Sequence, residues 1–549
     1  MAKLKELIHL LGKKSFRVSE DKFQNEVHAF PFNDIGIRAA VNAVAKVGAG
    51  AVKYAGVRYK INSEIELKKG VKHKAVLGDL DFTGYLPDAA PTPVGGTIFD
   101  IAPGVTAFVH NHVDQPNPVP AQLADTSVSG VEIDGITFVG GLRAIHTGAN
   151  NVLGLTFSEV KNCRFFNQTE EHYIFRNFQQ SNFSNLFCFN SLPGVVAGGM
   201  VFDISRLKDA GGVNALIPGN SCFSGILFGW TNQFLGRGFS FDGIDGQLNE
   251  CSFKGRLQFN RYASQTTAVD IVATMATGSA NFTVSDNGQF ALCQVGMPLA
   301  IPVTSAAVGA VSNGTVYFVS SRNPATNEIT LNEFPNKFVS NLTANSNGPV
   351  TLKCGGFPGI EVSGDDTGSI TAMNLGDIDV ECKGNVAGIV ARNAKFIAHI
   401  LEIMPSDTDT AIVPRNCDMG ITYAGQANIT HDTSASHGAF RATNLAGGSI
   451  NYNGGGFTLN TSHSQQIMRY SGAGDIVITY PRTLPKGFQH KTVCTSTGQV
   501  TYTGGAGASA QNRSASAKTA GGTAPQANLE LMSVSSGGAM FHLWGDLGG

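Results

Sequence analysis

Asn162-Cys163-Arg164-Phe165-Phe166 is one of several short phrases that recur along this chain. The others are Cys222-Phe223-Ser224-Gly225-Ile226, Cys251-Ser252-Phe253-Lys254-Gly255, Cys382-Lys383-Gly384 and Asn416-Cys417-Asp418-Met419-Gly420-Ile421. Each reads as one strand of alternating apolar side chains beside an asparagine or glycine corner. Cys163, Cys188, Cys222 and Cys251 are spaced 25, 34 and 29 residues apart, and Cys354, Cys382 and Cys417 follow at 28 and 35. Periods of roughly 20 to 50 residues belong to solenoids and propellers. Uneven steps with Asn and Gly at the corners favour a parallel β-helix whose coils differ in loop length, with cysteine as a small apolar side chain stacked inside.

Composition agrees with an all-β chain. Charged residues make up 15% of the 549, against a typical value of about 25%, while 66 are Gly and 42% are hydrophobic. Many short strands joined by turns suit that balance. A formal net charge of −2 lacks the excess of Lys and Arg that phosphate recognition needs, which argues against a nucleic-acid partner. No apolar run approaches the roughly 20 residues that cross a bilayer, and Met1 to Lys14 has neither a secretory apolar core nor a small-residue cleavage site, so membrane insertion and classical secretion are not expected. Leu4, Leu7, Ile8 and Leu11 follow helical spacing, which reads as a short docking helix or a frayed terminus. Nine widely separated cysteines form neither zinc-type pairs nor a complete disulfide set, and His110 and His112 lack helical ligand spacing; no metal or other cofactor is expected.

After Phe32-Asn33-Asp34-Ile35-Gly36, the residues Ile37, Ala40, Val41 and Val44 keep helical spacing up to Gly48, with Asn33 or Asp34 as N-cap. Short alternating strands parted by glycine follow. Such a helix covers the open end of a solenoid, where unpaired backbone would otherwise face water.

The run FNDIGIRAAVNAVAKVGAGAVKYAGVRYKINSEIELKKGVKHKAVLGD, residues 32–79, resembles the opening of the pectate-lyase-like right-handed β-helix superfamily, especially bacteriophage tailspike depolymerases. The resemblance implies a capping helix, a first coil, a solenoid and a parallel homotrimer on a phage virion that acts at the bacterial surface. It also implies an organisation: residues 1–31 as an attachment tail, 32–262 as the first part of the β-helix, 263–356 as an inserted β domain, 357–474 as its second part, and 475–549 as a C-terminal β-sandwich for trimerisation or carbohydrate binding. Tailspikes that attach directly usually carry a long N-terminal anchoring domain. About 30 residues precede the helix here, so either that domain was lost or removed, or the tail docks on another phage tail protein.

A β-helix turns its apolar positions inward and leaves outward positions to line a groove for an extended polymer. In Leu375-Gly376-Asp377-Ile378-Asp379-Val380-Glu381-Cys382, alternation places Asp377, Asp379 and Glu381 on the face opposite Ile378, Val380 and Cys382. Same-face neighbours lie roughly 6.5 to 7 Å apart, between the spacings of retaining and inverting carboxylate pairs. Crowded like charges raise a pKa, as a general acid requires; the bland reading is a solvated face balanced by Lys383, Arg392 and Lys395. Asp242 and Glu361 flank the insertion, which could wall a second site, and with Asp377, Asp379 and Glu381 they complete the catalytic candidates. Asp365 and Asp366 stand nearby. Asp245, Glu250, Trp230, Tyr173 and Arg206 are the substrate-binding candidates, with Tyr262 and Tyr423 as further aromatic platforms. Proton abstraction by a lyase would instead draw on Glu171-His172-Tyr173 and Arg206-Leu207-Lys208-Asp209.

The expected function is binding and depolymerisation of a bacterial capsular or other surface polysaccharide by glycoside hydrolysis with Asp/Glu pairs. The alternatives are a β-eliminating lyase on the same fold and a non-enzymatic receptor-binding adhesin.

Overall fold

The computed structural model describes residues 26–82, 90–110, 127–148, 154–191, 199–203, 207–208, 214–216, 221–233, 235–243, 251–261, 269–301, 316–332, 348–364, 371–382, 387–405, 410–415, 418–423, 440–444, 450–452, 455–459, 466–470, 472–481, 484, 488–494, 497–506, 508–511, 516–519, 526–535, 538–545 and 547–548. The chain parts into two compact units. One holds residues 1–394 with 404–412, and the other holds 395–403 with 413–549.

In the first unit two long parallel sheets run side by side. The strands of one, in hydrogen-bonded order, are Glu26–His28, Gly50–Lys53, Val71–Lys74, Glu132–Asp134, Glu159–Phe166, Asn182–Asn190, Cys222–Thr231, Cys251–Arg261 and Thr371–Cys382. The other runs Ile65–Glu66, Thr106–Val109, Arg143–Thr147, Tyr173–Arg176, Met200–Asp203, Phe239–Asp242, Ile360–Ser363 and Ala387–Arg392. Each coil adds one strand to each sheet, so the architecture is a parallel β-helix.

The corner residues explain how the coil changes shape. Early coils have a third short side, Arg58–Ile61, Ile98–Ile101 and Thr137–Gly140. At Glu159–Phe166 the sides merge: Glu159 pairs with Glu132, while Phe165 pairs with Phe138. The merged strand bends at Asn162 (φ 53°), and the next coils bend at Asn185 (φ 52°) and Gly225 (φ 67°). Left-handed backbone favours Gly and tolerates Asn, whose amide can bond locally. Asn162 Nδ2 donates to Asp134 Oδ1 at 2.9 Å, Asn185 Nδ2 to Asn162 Oδ1 at 3.2 Å, and the Ile226 N–H to Asn185 Oδ1 at 3.1 Å. A ladder of side-chain amides thus satisfies the corner from coil to coil.

Inside, aromatic side chains stack along the axis. Phe138 lies parallel to Phe165 at 5.3 Å, and Phe202 to Phe241 at the same separation. Cys163 and Cys188 are buried, and burial pushes the Cys163 thiol up to about 12. Their registers differ, because Cys163 pairs with Leu186 and Cys188 with Phe165. Cys222 is exposed, its Sγ 3.6 Å from Ser252 Oγ. It pairs with Asn182, on the outward parity of its strand. The cysteine spacing therefore followed the rhythm of the coils without marking one inward position.

The helix Asp34–Lys46 begins where Asn33 accepts the Gly36 N–H at 3.0 Å. Its buried Ile37, Ala40, Val41 and Val44 face the first strands of both sheets. Between Cys251–Arg261 and Ile360–Ser363 the chain leaves the coil. Val269–Met275, Asn281–Val284, Glu328–Asn332, Val316–Asn323, Pro298–Ala300 and Gly348–Cys354 close an antiparallel barrel around its own core. Fully buried Arg261 clamps the barrel's exit, donating to the carbonyls of Phe357 at 2.9 Å and Gly355 at 2.5 Å.

In the second unit Lys395 to Ile400 pairs in parallel with Asp418–Tyr423, and that strand with Phe440–Asn444. Two further parallel rows are Ile450–Tyr452, Gln466–Tyr470, Gln489–Cys494 and Phe457–Thr458, Ile476–Tyr480, Val500–Gly504. Parallel pairing thus continues past residue 475, where the C-terminal module was expected to start. Antiparallel partners arrive only with Ser516–Thr519 and Gln526–Ser535, and Leu529 and Phe541 join a core with Ile478, Tyr480 and Tyr502.

Candidate functional site

The second sheet of the first unit reads clearly by parity. Tyr173, Phe175, Met200, Phe202, Phe239, Phe241, Ile360 and Val362 point inward and are buried. The intervening residues point outward in two rows. Register aligns Ile174, Val201, Ser240 and Glu361 in one, and Arg176, Asp203, Asp242, Ser363 and Arg392 in the next. These rows floor a cleft of about 270 Å³ that also takes in Glu171, Arg237, Phe357 and Pro358. Glycines at Gly199 and Gly238 let the chain turn tightly beneath it; a Cβ on Gly238 would collide with the Gly359 carbonyl oxygen of the next coil.

Asp203 and Asp242 are direct cross-strand neighbours, about 4.8 Å apart by strand spacing. Asp242 and Glu361 are diagonal neighbours, because Glu361 pairs with Ser240 and Asp242 with Ser363, which separates their backbones by about 7–8 Å. Two of the carboxylates are engaged: Glu171 accepts from Arg143 Nε and Asp203 from Arg176 Nε, both at 2.6 Å. Glu361 differs. Burial pushes its carboxyl above the ordinary range, although Arg237, Arg392 and a hydrogen bond with Ser363 pull the other way. Arg392 is itself buried, which lowers it to about 10 against the fields of Asp242 and Glu361.

The acidic stripe Asp377, Asp379 and Glu381 lies on the other sheet, opposite Arg256, Gln258 and Asn260. Asp377 is exposed, and Asp379 is buried in an ion pair with Arg256. This counter-charge comes from the adjacent coil; Lys383 and the Lys395 side chain lie outside the described residues. The Glu381 side chain lies outside the described residues, as do Asp245, Glu250, Arg206, Asp365, Asp366, Tyr262 and the Tyr423 side chain.

Two expected aromatic platforms are corrected. Tyr173 falls on the inward parity and packs against Phe165, Phe175 and Phe202 at 5.1, 4.8 and 5.4 Å. Trp230 points outward but is only 1% exposed, packed with Phe166 and Phe189 beneath Leu80 and Ala90. Neither ring has a face free for a sugar. His172, a lyase candidate by residue type, is buried with its Nδ1 2.6 Å from Gln168 Oε1, and burial lowers it to about 3.

Sequence reading missed Asp203, Arg176 and Arg237. A signal for the first was present: Val201-Phe202-Asp203 and Ser240-Phe241-Asp242 are the same strand ending, one coil apart.

No family model and no curated protein matches the chain. Solved structures do. The tailspike of E. coli bacteriophage HK620 in complex with a pentasaccharide is 11% identical, with 92% of this chain and 83% of that one covered and a TM-score of 0.31. PfbA, a surface adhesin of Streptococcus pneumoniae, is 9% identical over 96% and 97%, also at 0.31. The tailspike gp49 of Acinetobacter baumannii bacteriophage Fri1, a capsular polysaccharide depolymerase, is 10% identical over 61% and 87%, at 0.20. The strand pairing of this chain defines its fold independently, and the residue roles below rest on its own geometry.

Proposed function

We propose that this protein binds and depolymerises a bacterial capsular or other surface polysaccharide by endo-glycoside hydrolysis in the cleft of the second sheet. One observation carries the reading: Glu361, whose carboxyl is raised by burial, stands diagonally across from Asp242 in an open groove floored by a flat parallel sheet. A carboxyl that stays protonated above the ordinary range can give its proton to a glycosidic oxygen. Glu361 is the general acid. Asp242, partly exposed one strand away, is the base that activates water; a separation of about 7–8 Å leaves room for that water, as in inverting glycosidases. Asp203 sits beside Asp242 and is held by Arg176. Asp377, Asp379 and Glu381 have no part in this assignment.

The wider setting is also proposed: a homotrimer on a phage tail, acting at the host surface and joined to another tail protein through residues 1–31. Light scattering of the purified protein tests the trimer.

Incubation with a panel of purified capsular polysaccharides tests the chemistry. Saturated oligosaccharides of inverted anomeric configuration are expected. Products absorbing in the ultraviolet alkene band would make it a lyase, and binding without products would make it an adhesin. Full activity of both E361Q and D242N would overturn the site.

A further inference from the structure

Arg237 stands at the mouth of the cleft on the turn that leads into Phe239–Asp242. It is exposed, yet it is not a free surface arginine. Its guanidinium lies over the Phe357 ring, 3.9 Å from the centroid, and its Nη2 donates to the Val295 carbonyl at 3.2 Å. Val295 and Phe357 belong to the inserted barrel segment, whose core includes Phe357. The barrel therefore aims this one guanidinium, holding it by stacking and a single donor. Its other donors make no hydrogen bond among the described residues.

The charges around it are unevenly matched. Arg143 and Arg176 hold Glu171 and Asp203 in salt bridges. Arg237 forms none among the described residues, and the fields that reach it come from Glu361 and Glu171. Glu361 and Glu171 act on it only at a distance, and Glu171 is already taken by Arg143. An oriented guanidinium with a vacant edge is then left in a groove built for a polymer, and a carboxylate is the planar anion that fits such a fork in bidentate fashion.

We propose that Arg237 is a specificity-determining residue that binds the carboxylate of an acidic sugar, so that the substrate is a polysaccharide containing uronate or another carboxylated residue. This rests on the cleft being the polysaccharide site but not on the hydrolytic roles of Glu361 and Asp242. Engaging Arg237 with a sugar carboxylate also weakens its pull on Glu361, so that binding the right polymer favours the protonated acid.

Binding read without turnover separates the two ideas. Biolayer interferometry would use immobilised hexuronate-containing capsular polysaccharides and the same polymers after carbodiimide and borohydride reduction of their carboxyls to alcohols. Wild type is expected to lose at least tenfold in affinity for a polymer it binds once the carboxyls are reduced. R237Q should weaken binding to the native polymer about as much while leaving the reduced polymer unchanged, and R237K should recover part of the loss. Equal weakening on both polymers, an unchanged R237Q, wild-type preference for the reduced form, or binding to neutral polymers alone would overturn the proposal, as would no binding to any polymer of the panel. A far-ultraviolet circular dichroism melt of R237Q matching wild type excludes misfolding as the cause. Loss of cleavage in E361Q with selectivity intact, or the reverse, shows which of the two ideas fails.

Discussion

Two acidic clusters lie on outward faces of the same coil, and they behave differently. On one sheet Asp379 reaches diagonally to Arg256, whose direct cross-strand partner is Asp377, and is buried in that ion pair. On the other, Glu361 pairs with Ser240, and its arginines reach it only through their fields. Glu361 forms no ion pair among the described residues, and desolvation raises its carboxyl despite the cations nearby. Both places set carboxylates beside arginines. The residues of the neighbouring coil make the difference: Arg256 bonds Asp379, and Ser240 stands beside Glu361.

The largest effect that tests this contrast is on turnover. E361Q should lower the cleavage rate by about 10²–10⁴-fold, the usual worth of a general acid, with D242N in the same range. D379N should stay within about threefold of wild type on the same polymer if the stripe takes no part in chemistry. A large loss in D379N without a loss of stability would reverse the assignment.

The next effect is on pH. Because Glu361 must be protonated to act, cleavage falls as pH rises through its pKa, and burial places that fall above the ordinary value of 4.5. Arg237, Arg392 and Ser363 all lower the carboxyl, so R237Q should move the alkaline limb of kcat/KM further up. A downward shift, or none, would show that the guanidinium does not act on Glu361.

Stability separates the clusters the other way. R256M strands the buried Asp379 carboxylate, at a cost of about 1–3 kcal/mol in denaturant unfolding. Because Arg256 is 44% exposed, water screens the pair and the lower end is expected. The smallest effect belongs to D377N: exposed Asp377 should change neither stability nor turnover measurably.

Much of the fold was legible in local pattern. Asn162 and Gly225 were visible as corner residues because left-handed backbone restricts composition wherever it occurs; Asn185, which bends the coil between them, was not singled out. A helix cap at Asn33 or Asp34 was visible for a similar local reason, and the structure puts it at Asn33. The outward parity of Asp242, Asp377 and Asp379 follows from period-two alternation alone. Parity also misled: Trp230 faces outward, but the strands Asp79–Asp81 and Thr92–Val94 bring a segment over it that no spacing near residue 230 announces.

What alternation could not supply was adjacency. Asp242 and Glu361 are separated in sequence by the whole barrel, and Arg256 is 123 residues from Asp379, yet each pair sits on neighbouring strands. Local chemistry decided that this chain is a stacked parallel solenoid with apolar positions inward, because backbone sterics and the two-residue strand period act within a few residues. Only the stacking of coils decided which carboxylate meets a cation and which is raised by desolvation. Electrostatics and burial depend on distance in space, and in a solenoid that distance is set by the register between neighbouring coils, whatever the length of chain between them.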